Sequence, residues 1–80
     1  MKLPEYQEEQ VKLSARNQLA GTVTSINKGE AIANVVLDVA GQRLVASITV
    51  EAVTELGLSE GSKVTAIIKA SDVMIATNGG

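Results

Sequence analysis

The run Ala31-Ile32-Ala33-Asn34-Val35-Val36-Leu37-Asp38-Val39 carries the clearest two-residue period in this chain of 80 residues. Its odd-numbered positions are all apolar, whereas Asn34 and Asp38 fall among the even-numbered positions. Because successive side chains of a strand point to opposite faces, this pattern predicts a β-strand with its odd-numbered side chains in the core. The Ala40-Gly41 pair that follows predicts a tight hairpin turn into a second strand.

The second strand and the segment after it continue the pattern. One face of the strand is apolar and consists of Leu44, Ala46, Ile48 and Val50. The other face is polar except for Val45 and consists of Arg43, Val45, Ser47 and Thr49. A short helix is predicted from Thr49 or Val50 to Leu56, because Gly57 suits a left-handed C-cap. Alternation over residues 63–70 predicts another strand, and residues 72–76 are predicted to form a short last strand.

Upstream, residues 11–26 predict one long bent strand or two short ones, with Gly21 at a bend or a close backbone approach. Residues 27–29 predict a turn in which Gly29 takes a positive φ. These elements together predict an all-β fold with one short helix, arranged as a small five-stranded OB-like barrel. Residues 1–12 are expected to be a polar leader, disordered or helical, or a linker to another domain; residues 13–77 form the domain and 78–80 a tail.

Composition excludes several classes of function. The chain has no Cys and no His, so it lacks thiolate ligands, the commonest metal ligand and the usual general base. A net charge of −2 and a single aromatic residue, Tyr6, argue against a nucleic-acid surface. No apolar run reaches the length of a membrane span. Since no carboxylates pair suggestively either, the sequence does not predict an enzyme, and a cytoplasmic location, which is expected for this chain, is compatible with its composition.

The outward faces of three predicted strands carry apolar residues. Ile32, Val36, Val45 and Ile67 all fall on positions that the alternation assigns to the polar side. A contiguous apolar patch on a small protein marks an interface. An oligomer is therefore expected, which would also compensate for the small core of a chain of this length.

Candidate binding residues are concentrated in Ser14-Ala15-Arg16-Asn17, which offers a hydroxyl, a fixed cation and an amide within one short stretch. All three groups donate hydrogen bonds, and the guanidinium suits an oxyanion. A second cation, Lys69, precedes the Ala70-Ser71 pair. Each residue also has an ordinary structural explanation: Arg16 and Lys69 as solvated strand residues, Ser71 at a turn, and Thr49 as a helix N-cap.

Several phrases of the chain resemble, in order, the molbindin-type (Mop/TOBE) molybdate-binding domain. They run over most of the chain and are Ser14-Ala15-Arg16-Asn17-Gln18-Leu19 with Gly21 and Val23, then Ser47-Ile48-Thr49, Leu56-Gly57-Leu58 with Gly61, and Ile68-Lys69-Ala70-Ser71-Asp72-Val73-Met74. The resemblance implies the Mop fold, of OB-like kind. It also implies a homo-hexamer, a trimer of dimers, with sites between subunits.

The resemblance further implies the ligand and the residues that contact it. The ligand would be molybdate, and tungstate with it, bound as an oxyanion with no metal ligated directly by the protein and no other cofactor. The contacting residues would be Ser14, the Ala15 backbone N–H, Arg16, Thr49, Lys69, Ala70 and Ser71. Where the family has a Ser three residues after the Thr, this chain has Ala52. The expected consequences are a weaker site, a changed selectivity, or replacement of the missing donor by a water or by Ser47. Asn17 is expected to bond the local backbone, and Ala40, where the family has Gly, is expected to be harmless.

Two functions follow from the resemblance. The first is non-enzymatic storage, buffering or sensing of the oxyanion inside the cell. The alternative is an effector-binding or oligomerisation module excised from a molybdate-responsive transcription regulator or a molybdate transporter ATPase.

Overall fold

The computed structural model describes residues 16–79. Within them the chain forms a 4-stranded sheet of order β3-β2-β1-β4. The elements in chain order are β1 (Asn17–Lys28), β2 (Ile32–Val39), β3 (Gln42–Thr49), helix α1 (Val50–Leu56), β4 (Lys63–Ile68) and a 3₁₀ turn (Ala70–Asp72). The chain divides into two compact units: Leu19–Ala66 form one, and residues 16–18 and 67–79 belong to the other.

The core of the first unit lies under one face of β2. Val23, Ala33, Val35, Leu37 and Val53 are buried there. The predicted alternation of β2 is confirmed, because its odd-numbered core positions are buried while Ile32, Asn34 and Asp38 are exposed. Burial of these apolar side chains between the sheet and the helix is the main favourable term in holding the elements together.

The hairpin between β2 and β3 turns over two residues. Val39 pairs with Gln42, and Ala40 and Gly41 between them have φ values of 52° and 86°. Two successive positive φ values define the type I′ turn, whose twist matches that of the flanking strands. The expectation that Ala40 is harmless stays a prediction, although its backbone lies in the left-handed region, which costs an L residue about 1 kcal/mol.

Helix α1 begins and ends as predicted. The Thr49 hydroxyl accepts a hydrogen bond from the Ala52 backbone N–H at 3.0 Å, which is an N-cap. Gly57 ends the helix with φ 64°, and the Leu58 N–H returns to the Val53 carbonyl at 3.1 Å. Among residues 16–79, no helix has the length and apolar character that crossing a bilayer requires.

Strand β1 departs from regular geometry at Thr24, where a β-bulge shifts its register against β2. At Gly21 the close approach is confirmed, because an added Cβ would lie 3.1 Å from the Asp38 carbonyl oxygen. The prediction of a turn over residues 27–29 is wrong. β1 continues to Lys28, and Gly29 does not have a positive φ; its N–H instead donates to the Ile32 carbonyl at 2.8 Å.

The predicted fifth strand over residues 72–76 is also wrong. Residues 70–72 form the 3₁₀ turn, and residues 73–79 have no regular structure. Val73 has extended backbone angles, but no strand among residues 16–79 pairs with this segment. The described residues therefore form an open antiparallel sheet of 4 strands with one short helix, and closure into a five-stranded barrel stays a prediction.

The outward face of β2 and β3 carries part of the predicted apolar patch. Ile32 and Val45 are 51% and 44% exposed, and Val36 is half-buried directly opposite Val45. In the second unit, Ile67 is exposed as well. Within the first unit, Ile32, Val36 and Val45 face away from the core as the alternation predicts.

Candidate functional site

The first candidate segment begins at the edge of the described chain. Ser14 and Ala15 lie outside the described residues. Arg16 directly precedes β1, and its side chain is exposed. A guanidinium in this position is accessible to a ligand from solvent, because its N–H donors are not buried in the core.

Asn17 connects this segment to the end of β4. Its side-chain Nδ2 donates a hydrogen bond to the carbonyl oxygen of Ile68 at 3.2 Å, in a partly buried setting. Asn17 bonds backbone as expected, but the backbone is not local, since the two residues are 51 positions apart. Arg16 and Lys69 are the immediate chain neighbours of this bonded pair.

Lys69 leads into the 3₁₀ turn that carries the Ala70-Ser71 pair. It has an extended backbone (φ −64°, ψ 140°) and an exposed side chain. The Asp72 N–H donates to the Lys69 carbonyl at 2.9 Å, which closes the turn. The first N–H groups of any helical turn have no acceptor within that turn, so those of Ala70 and Ser71 are donors of the kind that an oxyanion requires.

Thr49 lies at the junction of β3 and α1, in the other unit. Its oxygen already accepts from the Ala52 N–H, and its side chain is exposed. A hydroxyl has one proton to donate and two lone pairs to accept with. The cap therefore uses an acceptor position of Thr49 and leaves its proton for another partner. The N-cap and ligand-binding interpretations of Thr49 are compatible.

Ser47 lies on the same exposed face of β3 as Thr49, but its hydroxyl makes a different kind of hydrogen bond. Its Oγ donates to Oδ1 of Asn34 on β2 at 2.6 Å. The two residues are direct cross-strand partners. Since a hydroxyl carries a single proton, Ser47 can donate to a ligand only if this short bond is broken.

Sequence reasoning missed Asn34 as the partner of Ser47. A signal was present: once Ala40-Gly41 is taken as a two-residue turn, residues equally far from it on either side must pair. Asn34 and Ser47 satisfy that condition. The partner of Asn17 could not be found in this way, because it depends on β4 lying beside β1.

Among the described candidates, the two cations and the turn residues belong to one unit, and Ser47 and Thr49 to the other. Within the unit that contains the two cations, the Asn17–Ile68 bond joins the Arg16 and Lys69 segments. The chemistry of the described set is that of hydrogen-bond donors: a guanidinium, an ammonium, hydroxyls and backbone N–H groups. Such a set suits an anion whose oxygen atoms are all acceptors.

Comparison with known proteins identifies the family to which this chain is similar. The TOBE domain family matches residues 13–75. The chain is 48% identical over 66 residues to molybdenum-pterin-binding protein 1 of Clostridium pasteurianum. The matched region covers 81% of this chain and 97% of that protein.

Solved structures agree with the sequence comparison. The structure of a molybdate-binding protein from Sporomusa ovata is similar with a TM-score of 0.81 and 43% identity, over 84% of this chain and 100% of that chain. The cytoplasmic molybdate-binding protein ModG, with molybdate bound, is similar with a TM-score of 0.78 and 44% identity, over 84% of this chain and 48% of that chain. From its sequence and its fold alike, this chain belongs to the TOBE domain family.

Proposed function

We propose that this protein binds molybdate, and tungstate with it, without catalysing a reaction, for storage, buffering or sensing in the cytoplasm. The observation that carries the proposal is its 48% identity to a molybdenum-pterin-binding protein over 97% of that protein's length. The molybdate-binding proteins from Sporomusa ovata and ModG, which share its fold, support the same ligand.

The chemistry of the candidate residues supports an oxyanion ligand. Molybdate is a tetrahedral dianion with no proton to donate near neutral pH, so a selective site needs donors only. Arg16 and Lys69 supply positive charge, Thr49 retains a hydroxyl proton, and the turn at Ala70 and Ser71 supplies backbone N–H groups. Hydrogen bonds to charged groups contribute about 1.5–3 kcal/mol each, so a few of them suffice for tight binding.

The proposed site comprises Ser14, Ala15, Arg16, Thr49, Lys69, Ala70 and Ser71. Ser47 would join it as a further donor only by giving up its hydrogen bond to Asn34. These residues lie in one oxyanion-binding domain over residues 13–77, flanked by the polar leader 1–12 and the tail 78–80. We propose that different subunits of a homo-hexamer, a trimer of dimers, contribute them to sites at their interfaces. Exposed Ile32 and Val45 are available to such interfaces.

The alternative, a module excised from a molybdate-responsive regulator or a transporter ATPase, has less support. The relative that carries the proposal is a binding protein matched over almost its whole length rather than over one of its domains. Both interpretations require the same oxyanion site, so a binding experiment on this chain tests the ligand under either of them.

Calorimetric titration of the purified protein with molybdate tests the ligand directly. Molybdate and tungstate should bind, whereas sulfate and phosphate at the same concentrations should release no heat of binding. Light scattering of the same sample should give the mass of a hexamer. A protein that ignores molybdate would overturn the proposed function, and a monomer that binds it would overturn the interface site alone.

An arginine pair tests the site residues. Arg16→Ala should weaken molybdate binding by at least about tenfold, because it removes a charge-assisted hydrogen bond. Arg43→Ala removes an equally exposed guanidinium from β3 and should change the affinity by less than about twofold. Equal affinities of the Arg16→Ala protein and the unaltered protein would contradict the assignment of Arg16.

A further inference from the structure

Asn17 and Ile68 occupy the two strand ends next to the proposed cations. Asn17 is the first residue of β1, and Ile68 is the last residue of β4. Their side-chain-to-backbone bond of 3.2 Å is partly buried, although Arg16 and Lys69 on either side of it are exposed. This side-chain bond therefore adds to the pairing of β1 with β4 in the sheet and ties together the two backbone segments that carry these cations.

The turn beyond Ile68 is tied to the same point. Lys69 follows Ile68 directly, and the Lys69 carbonyl accepts the N–H of Asp72 at 2.9 Å. The Val73 N–H bonds the Ala70 carbonyl at 3.2 Å, so the turn is held by two backbone bonds of its own. A displacement of Ile68 would accordingly carry Lys69 and the turn with it.

Arg16 and Lys69 have like charges, which repel when a site brings them together. A scaffold that positions their backbone segments before the ligand binds lowers the free-energy cost of bringing them together on binding. Preorganisation of this kind raises affinity without adding a contact to the ligand. The donor here is a neutral amide. The carboxylate of an Asp could not donate to the Ile68 carbonyl, and Ala would leave that carbonyl without this partner.

We infer that Asn17 is a positioning residue of the oxyanion site, holding Arg16 against the Lys69 turn through the Ile68 carbonyl while making no contact with the ligand. The inference rests on the proposed function. It adds a residue whose role is to set the geometry of the two cations.

Asn17→Ala should weaken molybdate binding by about tenfold, with the stoichiometry unchanged. Gln18→Ala is the matched control, since it removes a neighbouring exposed amide and should change the affinity by less than about twofold. Asn17→Ser keeps a side-chain donor and should lose less affinity than Asn17→Ala. Thermal unfolding followed by circular dichroism checks that each variant is folded at the temperature of the titration.

A double-mutant cycle separates positioning from a general loss of structure. If Asn17 acts chiefly by positioning the Lys69 ammonium relative to Arg16, Asn17→Ala should cost less than about threefold in a Lys69→Gln background, since the charge that it positions is absent there. Its effect on the melting temperature should be the same in both backgrounds. Multiplicative losses of affinity, about tenfold in each background, would overturn the inference.

The same titrations distinguish the two proposals. An unaltered protein that does not bind molybdate overturns the proposed function and this inference together. An unaltered protein that binds molybdate while Asn17→Ala binds it equally well overturns the inference alone. Should Asn17→Ala fail to fold, Asn17→Ser takes its place in the cycle, and multiplicative losses for that variant overturn the inference in the same way.

Discussion

The Ser47 hydroxyl donates its proton to Asn34 across the β2–β3 hairpin at 2.6 Å, which is a short hydrogen bond even for a hydroxyl donor. Two positions further along the same face of β3, Thr49 uses its oxygen as an acceptor and keeps its proton. Both residues are exposed, but the Ser47 proton is engaged by Asn34, whereas the cap of α1 uses only an acceptor position of Thr49.

Ser47→Ala should therefore change the affinity for molybdate by less than about twofold, because the proton it removes is already engaged by Asn34. Thr49→Val removes the free hydroxyl at nearly constant volume and should cost at least about tenfold. Calorimetry on the two variants side by side makes the comparison. A loss for Ser47→Ala as large as that for Thr49→Val would mean that Ser47 leaves Asn34 for the ligand.

Thr49 combines a structural role with a proposed binding role, and substitution can separate them. Thr49→Asp should retain the cap of α1, since Asp is as good an N-cap as Thr or better. Its carboxylate has no proton to donate near neutral pH and repels a dianion, so molybdate binding should be lost. Chemical unfolding should show a stability within about 0.5 kcal/mol of the unaltered protein.

Thr49→Ala completes this test. It removes the cap as well as the donor and should destabilise the protein by about 1 kcal/mol. Thr54→Ala, which removes an exposed hydroxyl from the same helix, is the control and should leave both stability and binding near their original values. A Thr49→Asp protein that still binds molybdate would place Thr49 outside the site.

The fold from β2 to the end of α1 is predictable because each of its signals is local. The alternation of β2, the two-residue turn and the cap pair of Thr49 and Gly57 each lie within one element or at its ends. Residues 72–76 show the limit of this reasoning. Val73 and Ile75 alternate as in a strand, but a strand also needs a neighbouring edge, and no local pattern states whether one is present.

The candidate site likewise has one part that local sequence predicts and another that depends on the fold. The cap at Thr49 is local and was predicted, whereas the Asn17–Ile68 bond joins residues 51 positions apart. Only the order of β1 and β4 in the sheet brings them together. The motif indicated that Asn17 matters for structure, but the identity of its acceptor required the fold.

Val53 is the one residue of α1 that is buried, at 2% exposure, and it anchors the helix on the sheet. Val53→Ala should cost about 2–3 kcal/mol of unfolding free energy, from the lost burial and the cavity left behind. Glu55→Ala on the exposed side of α1 should change stability by less than about 0.5 kcal/mol. Urea unfolding of all samples at one protein concentration keeps the contribution of assembly constant. Equal stabilities of the two variants would show that α1 is not held by Val53.

Ala40 offers a gain in stability at a position distant in sequence from every proposed contact residue. Its φ of 52° is unstrained for Gly but costs an L residue, so Ala40→Gly should stabilise the protein by up to about 1 kcal/mol. The change also increases the freedom of the unfolded chain, which offsets part of the gain. The measured effect should therefore be positive but smaller than the strain itself.

Ala20→Gly provides the matched comparison for Ala40→Gly. Ala20 lies in β1, is exposed and has no positive φ, so the same substitution should destabilise by about 0.5–1 kcal/mol. Opposite signs at the two sites would isolate the backbone conformation as the cause, because the side chain removed is identical. Loss of stability at both sites would mean that the turn does not hold Ala40 at positive φ. Molybdate affinity should be unchanged in Ala40→Gly, since the hairpin keeps its Val39–Gln42 pairing and the register that places Ser47 opposite Asn34.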